Sequence, residues 1–512
     1  AASSLCRIGR MRWRGIWRTS AKGTDKGMNN VPTLKKLVAI VLAAYVLLAA
    51  GLYFLGGEQF HRREADTGTM VSPTGDLNEL LAGEVVQQPF VINADQITSV
   101  TLMTATYGRE NTCSLMVSVL ADGETIAETT VQASELRDAG NTVFTFSQAV
   151  DVPKGKELRL KIASPDGNEG NAVTVYYGSS ISVSKGSVDV PLDESQMASL
   201  DGELVDGILC YQVNGYENLL FGRLYWYGAG ILGLLLATYG WLLLRKTAQG
   251  RSSPTLRFID AIQRYAFLIE QLVNRDFKTK YKRSVLGVCW SFLNPLLMMS
   301  VQYIVFSTLF KSNIQNFQLY LLTGIVCFNF FNESTSMCLT SISGNAGLIT
   351  KVYVPKYIYP VTRVLSSGIN FALSLIPLVL VMVFTRTPIR PQILLIVFGV
   401  LCLAVLCLGI GLILAAVMVF FRDTQFIWGV LVTVLNFATP IFYPESIIPQ
   451  RFMTIYKMNP LYHMVRFMRI VLMDGISPEP KAYLLCLIAA GVPLLLGIAL
   501  FKKQQDKFIL YI

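Results

Sequence analysis

Charge is scarce in this chain of 512 residues: only 15% is Asp, Glu, Lys or Arg, against about 25% in ordinary soluble domains. There are two His, and the nine Cys include no pair at CxxC spacing. Neither a zinc site nor a redox motif is indicated, and nine Cys in this length are no disulfide scaffold. The phosphate-binding pattern GxxxxGK[ST] is also missing: the one Gly-Lys pair, Gly155–Lys156, has Val150 where the first Gly belongs. What is abundant is apolar, 52% of the residues. A disordered chain, a coiled coil and a typical cytosolic enzyme are excluded. The composition points to a membrane protein with room for more than one domain.

The net charge of +10 conceals an asymmetry. Residues 57–222 hold 9 basic and 24 acidic residues, a net of −15, which leaves 35 basic and 10 acidic elsewhere, a net of +25. The cations outside 57–222 lie beside apolar segments, as on the inner side of a membrane. A nucleic-acid reading of the basic balance loses its force.

Residues 37–55 form an uncharged run preceded by many Arg and Lys, among them Lys35 and Lys36. About 20 apolar residues span a bilayer, so this is a transmembrane helix with its start in the cytoplasm. A cleaved signal peptide is the rival, but the run exceeds a usual apolar h-region and no small-x-small site follows. The first residue is Ala, and Met28 offers a plausible native start for a basic N-terminal segment 1–36. A second span, 224–244, carries Tyr225, Trp226, Tyr227 and Trp241 near its ends, and Arg245 and Lys246 follow it. Residues 57–222 are thereby placed outside. Six further segments, about 287–310, 317–342, 361–384, 392–420, 425–443 and 481–501, bring the expectation to eight spans. Both termini are cytoplasmic, with Lys502 and Lys503 opening the tail 502–512.

Residues 86–184 alternate. In ELRLKIA (157–163), Leu158, Leu160 and Ile162 face one side while Arg159 and Lys161 face the other, a half-buried strand pattern. ITSVTLMTAT, CSLMVSVL, ETIAETTVQ, NTVFTFS and AVTVYYG are similar, and Asp122–Gly123 marks a hairpin. Several such strands predict an extracytoplasmic all-β sandwich, with a weak likeness to jelly-roll, galactose-binding-like domains. Cys113 and Cys210 are its two cysteines and are candidates for a disulfide. Its acids form no His-containing triad, and a solvated acidic face is the simpler account.

Residues 255–283 place apolar side chains at Phe258, Ile259, Ile262, Tyr265, Ile269 and Leu272, one helical face. A helix lying in the inner membrane interface and an ordinary bundle helix both fit. LIEQLVNRDFKTKYKRSVLGVCWSFLNPLLMM (268–299) then resembles the start of the type-2 ABC exporter permeases that move lipid-linked polysaccharides such as O antigen and teichoic acid. Arg275, Asp276, Phe277, Tyr281, Lys282, Trp290, Asn294 and Pro295 carry the likeness. NAGLITKVYVPKYIYP (345–360), FRD (421–423), ATPIFYP (438–444) and NPLYHMVRFMR (459–469) extend it over about 255–512. The outer domain and its two anchoring spans are an addition to that six-span pattern.

The resemblance implies a homodimer with two separate ATP-binding-cassette subunits; ATP and Mg belong to those partners, and this chain carries no cofactor. It implies an ATPase contact at Arg275, Asp276, Lys278, Tyr281, Lys282, Leu348, Lys351, Pro355 and Lys356. Aromatics of the spans are candidates to stack sugar rings in a channel: Tyr303, Phe306, Phe310, Phe328, Phe331, Phe437, Phe442 and Tyr443, though packing is the simpler role for any one. Glu333 is a carboxylate at membrane depth, which is costly without a polar cavity or partner. The connection 444–479 resembles short, partly re-entrant helices near the outer exit. Its Arg451, Asn459, Arg466 and Arg469 are exit candidates, facing pyrophosphate, acidic glycan or lipid head groups. The expected function is the permease subunit of an ATP-driven exporter of lipid-linked polysaccharide in the cytoplasmic membrane, without catalysis by this chain. The outer domain binds glycan or organises the exit, both open. A glycan sensor or assembly scaffold without transport is the alternative.

Overall fold

Uncharged runs longer than a bilayer is thick become helices, and alternating runs become strands. The computed structural model describes residues 31–67, 73–178, 181–182, 189–190, 196–249, 253–282, 284–308, 316–352 and 354–511. Residues 1–30 of the basic N-terminal segment and the channel candidate Phe310 lie outside the described residues. The chain divides into two compact units: Glu58–Arg223, and the residues on either side of it.

In the unit Glu58–Arg223, two antiparallel sheets enclose one core. One sheet orders Arg62–Thr67, Tyr211–Asn218, Gln96–Ala105, Thr174–Gly178 and Ile208–Leu209, with Gly140–Asp151 also paired to Gln96–Ala105. The other orders Glu203–Leu204, Ser199–Leu200, Val85–Val91, Glu157–Ala163, Ser114–Ala121 and Glu124–Gln132. Leu158, Leu160 and Ile162 are buried against Val100, Leu102 and Phe144 of the opposite sheet, as the alternation requires. The expected sandwich is present; the strand order carries no finer class. Asp122 (φ 51°) and Gly123 (φ 88°) make the predicted tight hairpin, with positive φ at both central residues.

Cys113 and Cys210 are buried thiols, not bonded to one another, so the disulfide considered from sequence is absent; burial pushes the Cys210 thiol up to about 11. Asp166 accepts hydrogen bonds from the Ser114 backbone N–H and hydroxyl, both at 2.8 Å. These bonds lower its pKa and tie the turn at 165–167 to the neighbouring strand.

The second unit is helical. α1 (Val31–Gly56) and α2 (Leu220–Ala248) pack side by side: Tyr45 donates to the Ala229 carbonyl and Tyr225 to the Ala49 carbonyl, each at 2.6 Å. The remaining helices are α3 (Pro254–Tyr281), α4 (Trp290–Thr308), α5 (Phe317–Leu339), α6 (Ile358–Phe384), α7 (Ile396–Phe420), α8 (Thr424–Ala438), α9 (Gln450–Met458), α10 (Pro460–Arg469) and α11 (Pro480–Gln504). Pro254, Pro460 and Pro480 sit in the first turns of their helices, where a missing N–H costs nothing.

Six helices among the described residues are long and apolar enough to cross a membrane: Leu34–Phe60, Leu220–Ala248, Gly287–Ser307, Ile358–Phe384, Pro391–Phe420 and Pro480–Tyr511. The expected count of eight also includes the segments 317–342 and 425–443. The segment read as 317–342 forms α5, but Asn329, Asn332 and Glu333 lower its apolarity, and most of it is buried among other helices. The segment read as 425–443 yields only the 15 residues of α8, because Pro440 and the turn after Thr439 end it. α7 and α11 approach most closely at glycines: a Cβ on Gly497 would lie 2.4 Å from the Gly409 carbonyl oxygen. Small residues at a helix crossing permit such backbone contact.

Candidate functional site

Four polar residues of α5 fall on one stripe. Asn329, Asn332, Glu333 and Ser336 recur at three- and four-residue spacing, so they share a helix face. That face meets the end of α3, the start of α4 and the middle of α6. Together they line a pocket of about 490 Å³, with Lys280 and Tyr281 from α3, Trp290, Ser291, Asn294 and Pro295 from α4, and Asn370 and Ser374 from α6.

Glu333 is not alone. Lys280 Nζ lies 2.7 Å from its Oε1, and Asn370 Nδ2 donates to the same oxygen at 2.6 Å. Tyr281 donates to Asn370 Oδ1 at 2.9 Å, and its hydroxyl also pairs with that of Ser291. Ser374 donates to the Ser291 carbonyl at 2.9 Å. The amide of Asn370 therefore links α3 to α5, and Tyr281 and Ser374 tie that link to α4.

A second polar seam runs alongside. Arg363 of α6 lies 2.7 Å from Asp276 of α3, whose side chain is 5% exposed. Arg275 reaches Asp276 at 3.1 Å and Asn345 Oδ1 at 3.3 Å. Beneath it Leu272 packs with Ile342, Tyr359, Leu412 and Phe508 in one core. The latter half of α3 is thus fastened to the bundle, while Phe267 on its outer side stays 65% exposed.

The residue pattern and this geometry meet known proteins at one place. The profile described as ABC-2 type transporter matches residues 268–473. An O-antigen export system permease protein RfbA of Klebsiella pneumoniae is 31% identical over 246 residues, 47% of this chain and 93% of that protein. This chain belongs to the ABC-2 type transporter family. The RfbA of Myxococcus xanthus is 32% identical over 259 residues, 49% of this chain and 98% of its own length. The polysialic acid transport protein KpsM of Escherichia coli is 25% identical over 247 residues, 47% of this chain and 95% of its own. The likeness covers the C-terminal half; the β unit is an addition to it.

Within this ABC-2 chain the sequence-derived candidates separate. Of the ATPase-contact set, Arg275, Lys278, Lys282 and Lys351 are exposed, and Tyr281, Leu348 and Pro355 are half-buried. The Asp276 side chain is 5% exposed and is paired with Arg363 and Arg275 within the helical unit. Lys356 is half-buried, donating to the Gln505 carbonyl at 2.5 Å beside the Phe508 ring. It clamps the C-terminal segment.

Phe328 and Phe331 are buried, and Phe331 packs against Trp428 at 6.1 Å between centroids. Phe306 stacks on buried Phe442 at 5.7 Å, and Tyr303 meets Phe317 at 6.1 Å. Tyr443 donates to the Phe437 carbonyl at 2.5 Å, closing the chain reversal after α8. Among the described residues of the set, Phe437 is the one strongly exposed, at 62%.

Of the exit set, Arg451 and Arg466 are exposed. Arg466 lies beside Tyr462 and Glu445. The Asn459 side chain caps α10, accepting from the Leu461 N–H at 3.0 Å, and donates to Thr439 Oγ1 at 2.9 Å. Arg469 lies further inside. It is buried over the Tyr320 ring and donates to the carbonyls of Pro440, Ile441 and Tyr320 at 2.6, 3.0 and 3.3 Å. It holds the turn after α8 against α5.

Sequence reasoning missed Lys280 and Asn370 as partners of Glu333. The available signal was physical: an acid inside a span needs a nearby cation or donor, and Lys280 stands in the basic cluster just before α4.

Proposed function

We propose that this chain is the transmembrane permease subunit of an ATP-driven exporter carrying lipid-linked polysaccharide from the cytoplasm to the cell exterior. The observation that carries the reading is the likeness over nearly the whole length of the O-antigen export permeases. The polar pocket between α3, α4, α5 and α6 is consistent with a cargo that has hydroxyls to satisfy. Two copies work with two ATPase subunits, which bind ATP and Mg. Arg275, Lys278, Lys282 and Lys351 are the exposed cations that the ATPase would meet. The β unit stands outside the cytoplasmic membrane, where it binds glycan or shapes the exit.

The test is a deletion in the native host, complemented by the wild-type gene, by a variant with residues 345–351 scrambled, and by one lacking 68–216. Surface glycan is read by extraction, and partners by mild co-purification. The reading predicts loss of surface glycan on deletion, an ATPase that co-purifies with the wild type, and its loss from the scrambled variant while membrane insertion persists. Normal surface glycan in the deletion strain would overturn it.

A further inference from the structure

The pocket between α3, α4, α5 and α6 is built for a neutral, hydroxyl-rich ligand. Its one cation, Lys280, is already neutralised by Glu333 at 2.7 Å, which removes the attraction a phosphate would need. What remains is amide and hydroxyl chemistry. The side-chain amides of Asn294 and Asn329 make no hydrogen bond to another protein group among the described residues, and both residues are exposed and line the pocket. Unpaired amides on helices of a membrane unit are costly unless water or a ligand meets them. Each amide both donates and accepts, and Glu333 accepts. Sugar hydroxyls also both donate and accept, so they can use all of these groups; a phosphate, which only accepts, would waste every amide oxygen. At the rim Trp290 is 44% exposed, a flat apolar face for the C–H side of a ring. The volume, about 490 Å³, falls within the roughly 300–1,000 Å³ of ligand pockets.

We infer that this pocket is a saccharide subsite that takes one sugar ring of the cargo by its hydroxyls, in the arms of Asn294, Asn329, Asn332 and Glu333, with Trp290 against the ring face. The inference rests on the export reading and names what that reading leaves open: which part of the cargo this chain recognises. The sugar is read here, and the pyrophosphate of the carrier is not.

The test uses the chain purified with its ATPase in lipid nanodiscs. Three probes are titrated: a short polyprenyl pyrophosphate bearing one hexose, the same carrier without sugar, and inorganic pyrophosphate. Binding is read as the change in tryptophan fluorescence that is lost in Trp290→Phe. The hexose-bearing carrier is expected to bind at least about tenfold more tightly than the bare one, the scale of a satisfied hydroxyl. Asn329→Leu should reduce that preference to about twofold or less while the ATPase still co-purifies. Ser336→Ala, a smaller change on the same stripe, should lower it partially and guards against misfolding of the first variant. Equal binding of the two carriers, or binding of pyrophosphate alone, overturns the subsite. Surface glycan lost on deletion and restored by the wild-type gene, alongside equal binding of the two carriers, would leave the export reading standing while the subsite fails. Normal surface glycan in the deletion strain, with no binding of either carrier to the wild-type protein, would sink the two together.

Discussion

At the scale of single residues, the site separates groups by burial rather than by charge. Lys280 and Glu333 form an ion pair whose side chains are 44% and 28% exposed, and exposed pairs contribute about 0–1 kcal/mol. Asn370 is 6% exposed and serves both Tyr281 and Glu333. Asn370→Leu would leave a half-buried phenol and a carboxylate oxygen short of their amide, at a cost of about 1–3 kcal/mol. Lys280→Ala should therefore lower the midpoint of thermal unfolding in detergent far less than Asn370→Leu, and equal shifts would refute the ranking. The sequence made Glu333 visible as an acid in an apolar run. It could not show that the partner stands 53 residues earlier, because no periodicity connects α3 to α5. Arg469 shows the opposite case: three carbonyls accept from its two terminal nitrogens and the Tyr320 ring lies against it, contacts that no sequence pattern marks.

At the scale of elements, legibility followed the strength of the pattern. The strands at 96–105, 114–121, 124–132 and 157–163 stand where period-two alternation placed them, since burying one face fixes the register. The runs that became α1, α2, α6, α7 and α11 were legible because nothing polar interrupts them for long. α5 and α8 are less legible: α5 carries Asn329, Asn332 and Glu333 within its run, and α8 is only 15 residues long. The packing of α7 on α11 was invisible in the sequence, where Gly409 and Gly497 look like any other membrane glycines. In the fold, a Cβ on Gly409 would come within 2.4 Å of the Leu494 nitrogen, whereas one on Gly228 in α2 would meet nothing within 4 Å. Gly409→Ala should destabilise by about 1–3 kcal/mol through overpacking. Gly228→Ala should be neutral or slightly stabilising, since Ala favours a helix. Unfolding midpoints of the two variants measured side by side check this, and a harmless Gly409→Ala would mean that the two helices do not touch there.

At the scale of the whole molecule, the charge split supports the proposed orientation. With a net of −15 in residues 57–222 and +25 elsewhere, the positive-inside rule favours the cytoplasmic side for the basic ends of α2 and α3. Two positions report this directly. Asp122 sits at a hairpin tip with its side chain 85% exposed, and Cys289, at the start of α4, is an exposed thiol, whereas Cys113 and Cys210 are buried. In intact spheroplasts, a membrane-impermeant maleimide should label Asp122→Cys within minutes and leave Cys289 untouched. After lysis both should react, and peptide mapping should find Cys113 and Cys210 unmodified while the fold is intact. Burial raises both of those thiols, which keeps them in the unreactive protonated form at neutral pH. Labelling of Cys289 before lysis, with Asp122→Cys protected, would invert the molecule. The β unit would then lie on the same side as the nucleotide, and it could neither meet exported glycan nor shape its exit.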